Sequence, residues 1–483
     1  MSRVTFRLPS PLRALAGGAA EVPIEADTVA AAAARLAERH PALRPRLLAP
    51  DGQLRSSVAL YLNDRDVREA DGGATRLEDG DVLEVIPALS GGNERPDGLT
   101  DERPFRREEL VRYSRHLLLP EVGAVGQRRL RAGKVVLVGA GGLGSPAALY
   151  LAAAGVGEIG LVDFDRVDAS NLQRQVLYTE ADVGRIKPEA ARDRLRAMNP
   201  GIHVSIHPDR LTAENALETL RPYDVVIDGS DNFPTRYLVN DACVLLGKPD
   251  VFGSVYRFEG QATVFDARRG PCYRCLYPAP PPPDLVPSCA EAGVLGVLPG
   301  LIGVIQATEA MKLLLGIGEP LVGRLLLFDA QAMAFRELRL RRNPTCDLCS
   351  PTATQTGLID YAAFCGGEDA AGDSLPDDVP EISATELAAA LGGPDPPRLV
   401  DVRDPPEWEI GLLPGATRIP RAALVERLGE LTSAPRLVLY CSSGARSAQA
   451  ARWLRELGVT HVRSLRDGLR GWAREVDPSW PSY

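Results

Sequence analysis

Apolar positions in residues 1–92 follow a pattern that predicts a small mixed α/β domain. Every second residue of Val4–Leu8 is apolar, as in a strand with one buried face. A helix is predicted over Val29–His40, which is rich in Ala and Leu. Apolar runs at Val58–Leu62 and Val82–Ile86 predict later strands. This order of strands around one helix is typical of a β-grasp fold.

A second pattern begins at Val135–Val138, an apolar and β-branched run of strand length. Glycines follow at once, and then an Ala-rich segment of helical character. The uncharged stretch Val135–Gly157 is as long as a membrane span, but it contains six glycines and Pro146. We therefore interpret it as strand, loop and buried helix, and we expect no membrane partner. Val225–Ile227 predicts a further strand of the same domain.

The C-terminal part of the chain alternates strand and helix patterns, as α/β domains do. Leu399–Val402 and Arg436–Tyr440 predict strands, and a helix containing Ala448–Leu454 follows the second. Polar stretches with Pro and Gly separate the three patterns. The predicted organisation is a domain at 1–92, a linker at 93–104, a domain at 105–365, an acidic linker at 366–380 and a domain at 381–483.

Composition narrows the class of protein. The 483 residues carry a net charge of −9 with a pI near 5.4, so nucleic acid is not an expected partner. Arg3, Arg7 and Arg13 interrupt the N-terminal apolar stretch, which argues against a secretory signal. Four of the eight cysteines form two C-x-x-C pairs, which suggests metal or redox chemistry in a reducing compartment. We expect a cytoplasmic protein.

The glycine loop after the central strand has the spacing of a nucleotide-binding fingerprint. Gly139, Gly141 and Gly144 form G-x-G-x-x-G between a predicted strand and a predicted helix. Such glycines let the backbone approach phosphates at a helix start. Asp163 ends the next strand, where a carboxylate can accept from ribose hydroxyls. A structural turn with a surface Asp, or a nicotinamide-dependent oxidoreductase, would share these features.

Basic residues around this loop favour phosphate chemistry over hydride transfer. Arg115, Arg174 and Lys187 can stabilise the charge that builds up when an α-phosphate is attacked and pyrophosphate leaves. Asp231 follows a predicted strand and can hold Mg²⁺ through oxygen contacts. An oxidoreductase does not explain this cluster. Scattered surface charges remain the alternative, because charged residues make up 25% of the chain.

The two C-x-x-C pairs have the spacing of a structural zinc site. Cys272 and Cys275 can fill two corners of a tetrahedron, and Cys346 and Cys349 the other two. A lone pair would suggest a redox motif instead, but neither pair has the expected strand-to-helix context. We predict Zn²⁺ bound by all four thiolates.

Two other cysteines are candidate nucleophiles. Cys441 ends a predicted strand and precedes a short loop, Arg446 and a helix start, an environment that stabilises an anionic sulfur. Cys289 follows a Pro-rich run, and we expect it to accept an activated acyl group as a thioester or an acyl disulfide. The alternative for each is an inert cysteine, since free Cys is often buried.

The central domain resembles the MoeB/ThiF family, prokaryotic relatives of ubiquitin-activating enzymes, over about Phe105–Ser350. The resemblance rests on RYSRHLLLPEVGAVGQ, VGAGGLGSPAALYLAAAGVG, LVDFDRVDASNLQRQ, GSDNFPTRYLVND and PCYRCLYP. It implies a Rossmann-like adenylation domain with a zinc site. It also implies that ATP and Mg²⁺ contact Gly142, Asp163, Asn171, Arg174, Lys187, Asp231 and Asn232. Arg115 would reach into the site of a neighbouring protomer, so the resemblance implies a homodimer.

The two outer domains resemble the partners of such an enzyme. LVDVRDPPEWEIGLLPGATRIP, LYCSSGARS and GLRGW are similar to single-domain rhodaneses, which implies a persulfide on Cys441. Leu412-Leu413 stand where many rhodaneses have His before PGA. VTFRLPSPLR, YLNDRDVR and LEDGDVLEVIPALSGG resemble the MoaD/ThiS group of ubiquitin-like sulfur carriers, CysO most closely. From Arg103 onward the chain is similar to MoeZ-type fusions of the two enzymatic domains.

These resemblances imply a pathway of adenylation followed by sulfur transfer. Gly92 would be the carrier glycine that ATP activates and that ends as a thiocarboxylate. Because the chain continues past Gly92, a metalloprotease would have to cut there, or the enzyme would serve separate carriers. Thiosulfate or a cysteine desulfurase would supply sulfur for cysteine, molybdopterin, thiamin or tRNA. Protein tagging, with Gly92 linked to lysines, is the alternative function.

Overall fold

The computed structural model describes residues 2–49, 54, 58–63, 65–67, 70–87, 103–281, 293–365 and 379–481. Gly92, Cys289 and most of both predicted linkers lie outside the described residues. The chain divides into two compact units. The first comprises residues 1–132 with 315–317, and the second comprises residues 133–314 with 318–483.

The first unit contains a five-stranded sheet in the order β2-β1-β5-β3-β4. β1 pairs in parallel with β5 and antiparallel with β2, the arrangement of a β-grasp fold. Its helix, Val29–Arg39, is capped by the Thr28 side chain and buries Leu36 against the sheet. The strands are β1 Ser2–Arg7, β2 Glu21–Ala26, β3 Val58–Leu62, β4 Arg65–Asp66 and β5 Val82–Pro87. The β-grasp prediction is confirmed.

Short helices complete this unit. Within it, the imidazole of His116 and the side chain of buried Gln127 form a hydrogen bond of 2.9 Å. The helices other than Val29–Arg39 are Ser10–Arg13, Arg44–Leu47, Arg107–Arg112, Ser114–Leu117 and Gly123–Ala132.

The second unit is built around an eight-stranded sheet in the order β13-β12-β11-β10-β9-β6-β7-β8. Strands β8, β7, β6, β9 and β10 are parallel, and β11, β12 and β13 continue the sheet antiparallel. The strands are β6 Lys134–Val138, β7 Glu158–Val162, β8 His203–His207, β9 Val225–Asp228, β10 Asp250–Tyr256, β11 Glu259–Phe265, β12 Arg324–Asp329 and β13 Ala334–Arg339. Chain order reverses between β6 and β9, which is where ligands bind in sheets of this kind.

Helices cover this sheet and confirm the Rossmann-like prediction. Residues 135–157 form most of β6, the glycine loop, the buried helix Gly144–Ala154 and the turn that leads to β7. Among the described residues, one helix, Val297–Leu315, has the length and apolar composition of a membrane span, as core helices of soluble proteins also can. The other helices are Lys187–Met198, Ala216–Leu220, Phe233–Leu246, Tyr273–Leu276 and Tyr361–Phe364.

The C-terminal part of the second unit forms its own parallel sheet, in the order β14-β18-β17-β15-β16. The strands are β14 Glu381–Ile382, β15 Arg398–Asp401, β16 Thr417–Arg418, β17 Leu437–Tyr440 and β18 Val462–Leu465. The helices are Ala384–Leu391, Leu428–Thr432, Ala445–Glu456 and Gly468–Glu475. Apolar side chains cover both faces of this sheet, as the α/β prediction requires.

Candidate nucleotide, metal and cysteine sites

A cavity of about 200 Å³ opens at the carboxyl ends of β6, β7 and β9 in the second unit. Its position at the reversal of strand order is that of a nucleotide site. Most of the residues predicted from the sequence to contact ATP line this cavity. They are Gly139, Gly141, Gly142, Asp163, Arg174, Lys187, Asp231 and Asn232.

The glycine loop owes its shape to close backbone contacts. Gly139 has φ +94°, and a Cβ on it would lie 2.8 Å from the carbonyl oxygen of Gly229. A Cβ on Gly144, the first residue of the helix, would lie 2.0 Å from the carbonyl oxygen of Gly139. Both positions therefore need glycine for the fold itself. A Cβ on Gly141 would meet only the side chain of Gln175, with Nε2 at 3.6 Å and Cδ at 4.0 Å.

Asp163 fixes the glycine loop to the end of β7. Its carboxylate accepts from the N–H of Ala140 at 2.9 Å and from that of Asp165 at 2.9 Å. Burial raises the pKa of the Asp163 carboxyl, while nearby Lys187 and the two N–H donors oppose the shift. This carboxylate stands at the cavity wall, where it can accept from ribose hydroxyls.

Two predicted cations border the same cavity. Lys187 begins the helix Lys187–Met198, and its buried Nζ pairs with Asp165 Oδ2 at 2.8 Å. Arg174 donates to the carbonyl of Ser170 at 3.0 Å. Asn171 accepts from the N–H of Asp168 at 3.3 Å and is not among the residues that line the cavity. Contacts within the protein thus hold the cations in place before a ligand arrives, which limits reorganisation during reaction.

The loop after β9 presents Asp231 and Asn232. Buried Asp228 accepts from the N–H of Ser230 at 2.9 Å and from its hydroxyl at 2.6 Å, which fixes the turn. Asn232 caps the helix Phe233–Leu246 by accepting from the N–H of Thr235 at 3.0 Å. Asp231 is exposed at the cavity, so its carboxylate oxygens are accessible to a hard cation such as Mg²⁺.

Sequence reasoning missed two cavity arginines. Arg236 lies on the first turn of the helix Phe233–Leu246 and donates to the carbonyl of Ser230 at 3.3 Å. Arg210 stacks over the ring of Phe164 at 4.2 Å from its centroid. The sequence does contain a signal for Arg236, because the capping residue Asn232 marks the start of its helix at the cavity. Nothing local distinguishes Arg210 from a surface arginine.

Arg115 lies in the first unit, on the helix Ser114–Leu117, and its side chain is exposed. Its role in a neighbouring protomer stays a prediction. Gly144 forms the helix start and does not line the cavity.

The four cysteines of the C-x-x-C pairs come together in the second unit. All four Sγ atoms lie within 4.8 Å of one another. Cys272 Sγ is 3.8 Å from Cys275 Sγ and 3.7 Å from Cys346 Sγ, and Cys275 Sγ is 3.3 Å from Cys349 Sγ. Four sulfurs placed 2.3 Å from a tetrahedral zinc ion would be about 3.8 Å apart. The cluster therefore fits Zn²⁺.

Cys441 follows β17 and is fully buried at the start of a tight loop. Its Sγ accepts from the N–H of Gly444 at 3.1 Å and lies 3.6 Å from the hydroxyl of Ser447. Gly444, with φ +93°, precedes the helix Ala445–Glu456, whose N-terminal dipole also favours an anion nearby. The loop is thus built to stabilise a negatively charged sulfur.

Arg446 has a definite partner in this structure. Its Nη1 and Nη2 form a bidentate ion pair with Glu407, both bonds being 2.7 Å. The sequence predicts that Arg446 helps to stabilise an anionic sulfur on Cys441, and that role stays a prediction. The carboxylate partner of Arg446 comes from the 3₁₀ segment Pro405–Glu409. Glu407 lies 39 positions away, so the local motif could not reveal the pair.

Two substitutions in the glycine loop separate folding from nucleotide binding. Gly144→Ala places a methyl group 2.0 Å from a backbone oxygen, so we expect destabilisation of about 1–3 kcal/mol or more and loss of ATP–pyrophosphate exchange. Gly141→Ala has room for its methyl group, so the fold should survive while ATP binds more weakly. Thermal unfolding and exchange assays on both variants measure this. Wild-type stability in Gly144→Ala would contradict the packing argument.

The ATP affinity should depend on the ionisation of Asp163. Its pKa is raised by burial, so the carboxyl is protonated below that pKa and ionised above it. Protonation removes an acceptor for ribose, and the ATP dissociation constant should rise as the pH falls towards 5. Asp163→Asn should bind ATP more weakly and lose this pH dependence. Titrations with ATP from pH 5 to 8 test this, and an unchanged acid limb in the variant would exclude Asp163 as its source.

Comparisons with known proteins agree with the three folds. Family models match residues 6–92 (ThiS family), 113–348 (ThiF family) and 383–475 (Rhodanese-like domain). The chain is 49% identical over 385 residues to "Probable adenylyltransferase/sulfurtransferase MoeZ" of Mycobacterium tuberculosis, which covers 78% of this chain and 96% of the relative.

Two further relatives show the same relationship. The "Sulfur carrier protein adenylyltransferase" of Thermus thermophilus is 61% identical over 267 residues, which cover 54% of this chain and 98% of the relative. "Adenylyltransferase and sulfurtransferase MOCS3" of Anopheles gambiae is 45% identical over 397 residues, which cover 78% and 90% respectively. The chain therefore belongs to the MoeZ family of adenylyltransferase/sulfurtransferases, and it carries a ThiS-family segment ahead of its ThiF and rhodanese-like domains.

Proposed function

We propose that this protein adenylates the C-terminal glycine of a ubiquitin-like sulfur carrier and then transfers sulfur to it from a persulfide. The observation that carries the proposal is that a single chain combines two built sites. One is the cavity bordered by Asp163, Arg174 and Lys187. The other is the loop in which the N–H of Gly444 donates to the buried Cys441 sulfur.

The adenylation step uses the cavity. The carrier carboxylate attacks the α-phosphate of ATP, an acyl–phosphate bond forms, and pyrophosphate leaves. Asp163 holds the ribose, and the glycine loop lets phosphates approach the backbone. Arg174 and Lys187 stabilise the charge that develops as pyrophosphate departs. Asp231 is the candidate ligand for Mg²⁺, which would neutralise phosphate charge during the reaction.

The sulfur step uses the C-terminal domain. The Cys441 thiolate takes a sulfane sulfur from thiosulfate, which leaves as sulfite, or from the persulfide of a cysteine desulfurase, whose own cysteine leaves as a thiolate. The terminal sulfur of the Cys441 persulfide attacks the acyl carbon and AMP leaves, which gives an acyl disulfide. Two external thiols then reduce that disulfide and leave joined as a disulfide of their own, which releases the carrier thiocarboxylate and frees Cys441. Cys289, which lies outside the described residues, is the candidate for an intermediate acyl acceptor.

Zinc has a structural role in this proposal. The cluster of Cys272, Cys275, Cys346 and Cys349 supplies a closed set of four thiolates, which leaves no open coordination position for a substrate. Bound Zn²⁺ would link the chain segments before and after the helix Val297–Leu315. The ion would therefore stabilise the domain that holds the cavity without taking part in either transfer.

The remaining partners follow from the chemistry. Reduced cysteines suit a cytoplasmic enzyme. Arg115 would complete the cavity of a second protomer, so the active form would be a homodimer. The carrier would be residues 1–92 after cleavage by a metalloprotease, or a separate protein of the same type. The thiocarboxylate would supply sulfur to cysteine, molybdopterin or a related product.

Cys441→Ala should separate the two activities. Without its sulfur, the variant should lose at least a hundredfold of its thiosulfate sulfurtransferase activity. ATP–pyrophosphate exchange with a carrier ending in Gly-Gly should stay at the wild-type level, because the cavity is built from other residues. Cys243→Ala is the matched control, since Cys243 is also buried but lies on the helix Phe233–Leu246. Loss of exchange in Cys441→Ala would contradict two independent sites.

Mass spectrometry of the intact protein tests the role of Gly92. Protein purified from its native cytosol should contain a fragment 1–92, partly with one oxygen replaced by sulfur. That result identifies the N-terminal domain as a carrier that is released and used. If only the 483-residue chain is found, Gly92 never has a free carboxylate and the enzyme must serve separate carriers.

A further inference from the structure

Asp241 is a buried carboxylate for which the proposed reaction has no use. It lies on the helix Phe233–Leu246, and its side chain is fully buried. Its two oxygens accept five hydrogen bonds. Burying a charged carboxylate costs free energy, and the charge is tolerated only when it is paired and hydrogen-bonded. The five donors offset that cost, and their convergence on one residue needs a structural reason.

The first group of donors comes from the turn that carries Cys272 and Cys275. Arg274 lies between these two cysteines, and its Nε and Nη2 donate to the carboxylate at 2.8 and 2.7 Å. The neighbouring Asn240 donates to Asp241 at 2.9 Å and accepts from the N–H of Tyr273 at 2.7 Å. Both central residues of the first C-x-x-C turn are therefore held by adjacent residues of one helix.

The second group of donors follows Cys346 and Cys349 along the chain. Gln355 Nε2 donates to Asp241 Oδ2 at 2.7 Å, and the Tyr361 hydroxyl donates to the same oxygen at 2.9 Å. The backbone N–H of Gln355 donates to the carbonyl of Asp347, which lies between the two cysteines of the second pair, at 2.9 Å. Through Gln355, the same carboxylate is thus connected to the second C-x-x-C turn.

We propose that Asp241 is the positioning residue of the metal site, which brings both C-x-x-C turns into register and orients the four sulfurs before the ion binds. The inference rests on the proposed zinc site. Residues beyond the direct ligands commonly determine metal affinity, because they reduce the cost of ordering the ligands. The helix that carries Asp241 begins next to Asn232 at the nucleotide cavity, so the same carboxylate also fixes the metal site relative to that cavity.

Asp241→Asn in the full-length protein tests the proposal. The substitution keeps the shape of the side chain but removes the charge and points an amide donor at other donors. Zinc affinity, measured by competition with a chromogenic chelator, should fall about 10–100-fold. Asp401→Asn is the matched control, because Asp401 is equally buried and forms a bidentate pair with Arg403 in the C-terminal sheet. The control should keep wild-type zinc affinity.

Two milder variants test the same proposal if Asp241→Asn does not fold. Tyr361→Phe and Gln355→Ala each remove one donor to Asp241, and each should release zinc several-fold faster than wild type. Wild-type zinc affinity in a folded Asp241→Asn overturns the role of Asp241. If Asp241→Asn does not fold, wild-type rates of zinc release in both mild variants overturn it. A wild-type protein that contains no zinc overturns the zinc site itself, so the two failures are distinguishable.

Discussion

The backbone contact between the loops after β6 and β9 is the constraint on which the candidate nucleotide site depends. Gly139, Gly144 and Gly229 approach so closely that a side chain on either of the first two would overlap a backbone oxygen. This contact lets the helix Gly144–Ala154 start directly at the cavity. It also sets the position of the turn that leads to Asp231 and Asn232. The acidic and basic residues that surround the cavity can act together only because this packing brings the strand ends close.

Cysteine occurs in two different environments in this fold, and each environment favours a different chemical role. Four thiols that converge within 4.8 Å form a set that suits a tetrahedral ion and leaves no sulfur for chemistry. Cys441 lies by itself at the end of a strand, where a backbone N–H and a helix start face the sulfur. We expect a sulfur in the first environment to act as a metal ligand and a sulfur in the second to act as a nucleophile.

Buried ion pairs hold the parts of these sites together. Three bidentate ion pairs have side chains that are largely buried. They are Arg274 with Asp241, Arg446 with Glu407 and Arg403 with Asp401. Removing one partner of such a pair leaves a buried charge without compensation, which is far more costly than losing a surface pair. The pairs therefore fix geometry, and each joins a chemically important loop to a regular element or to a neighbouring segment.

The sequence by itself determined many of the strands and helices, the three fold types and eight of the residues that line the cavity. Alternating and clustered apolar positions predict strands and helices because side-chain periodicity is a local property of the backbone. Glycine spacing and the strand ends at Asp163 and Asp231 are local in the same sense. Only the tertiary structure decided the partners of Arg446 and Arg274 and the presence of Arg236 and Arg210 at the cavity. Such contacts depend on which distant segments the fold brings together, and an isolated arginine carries no local signal of its partner.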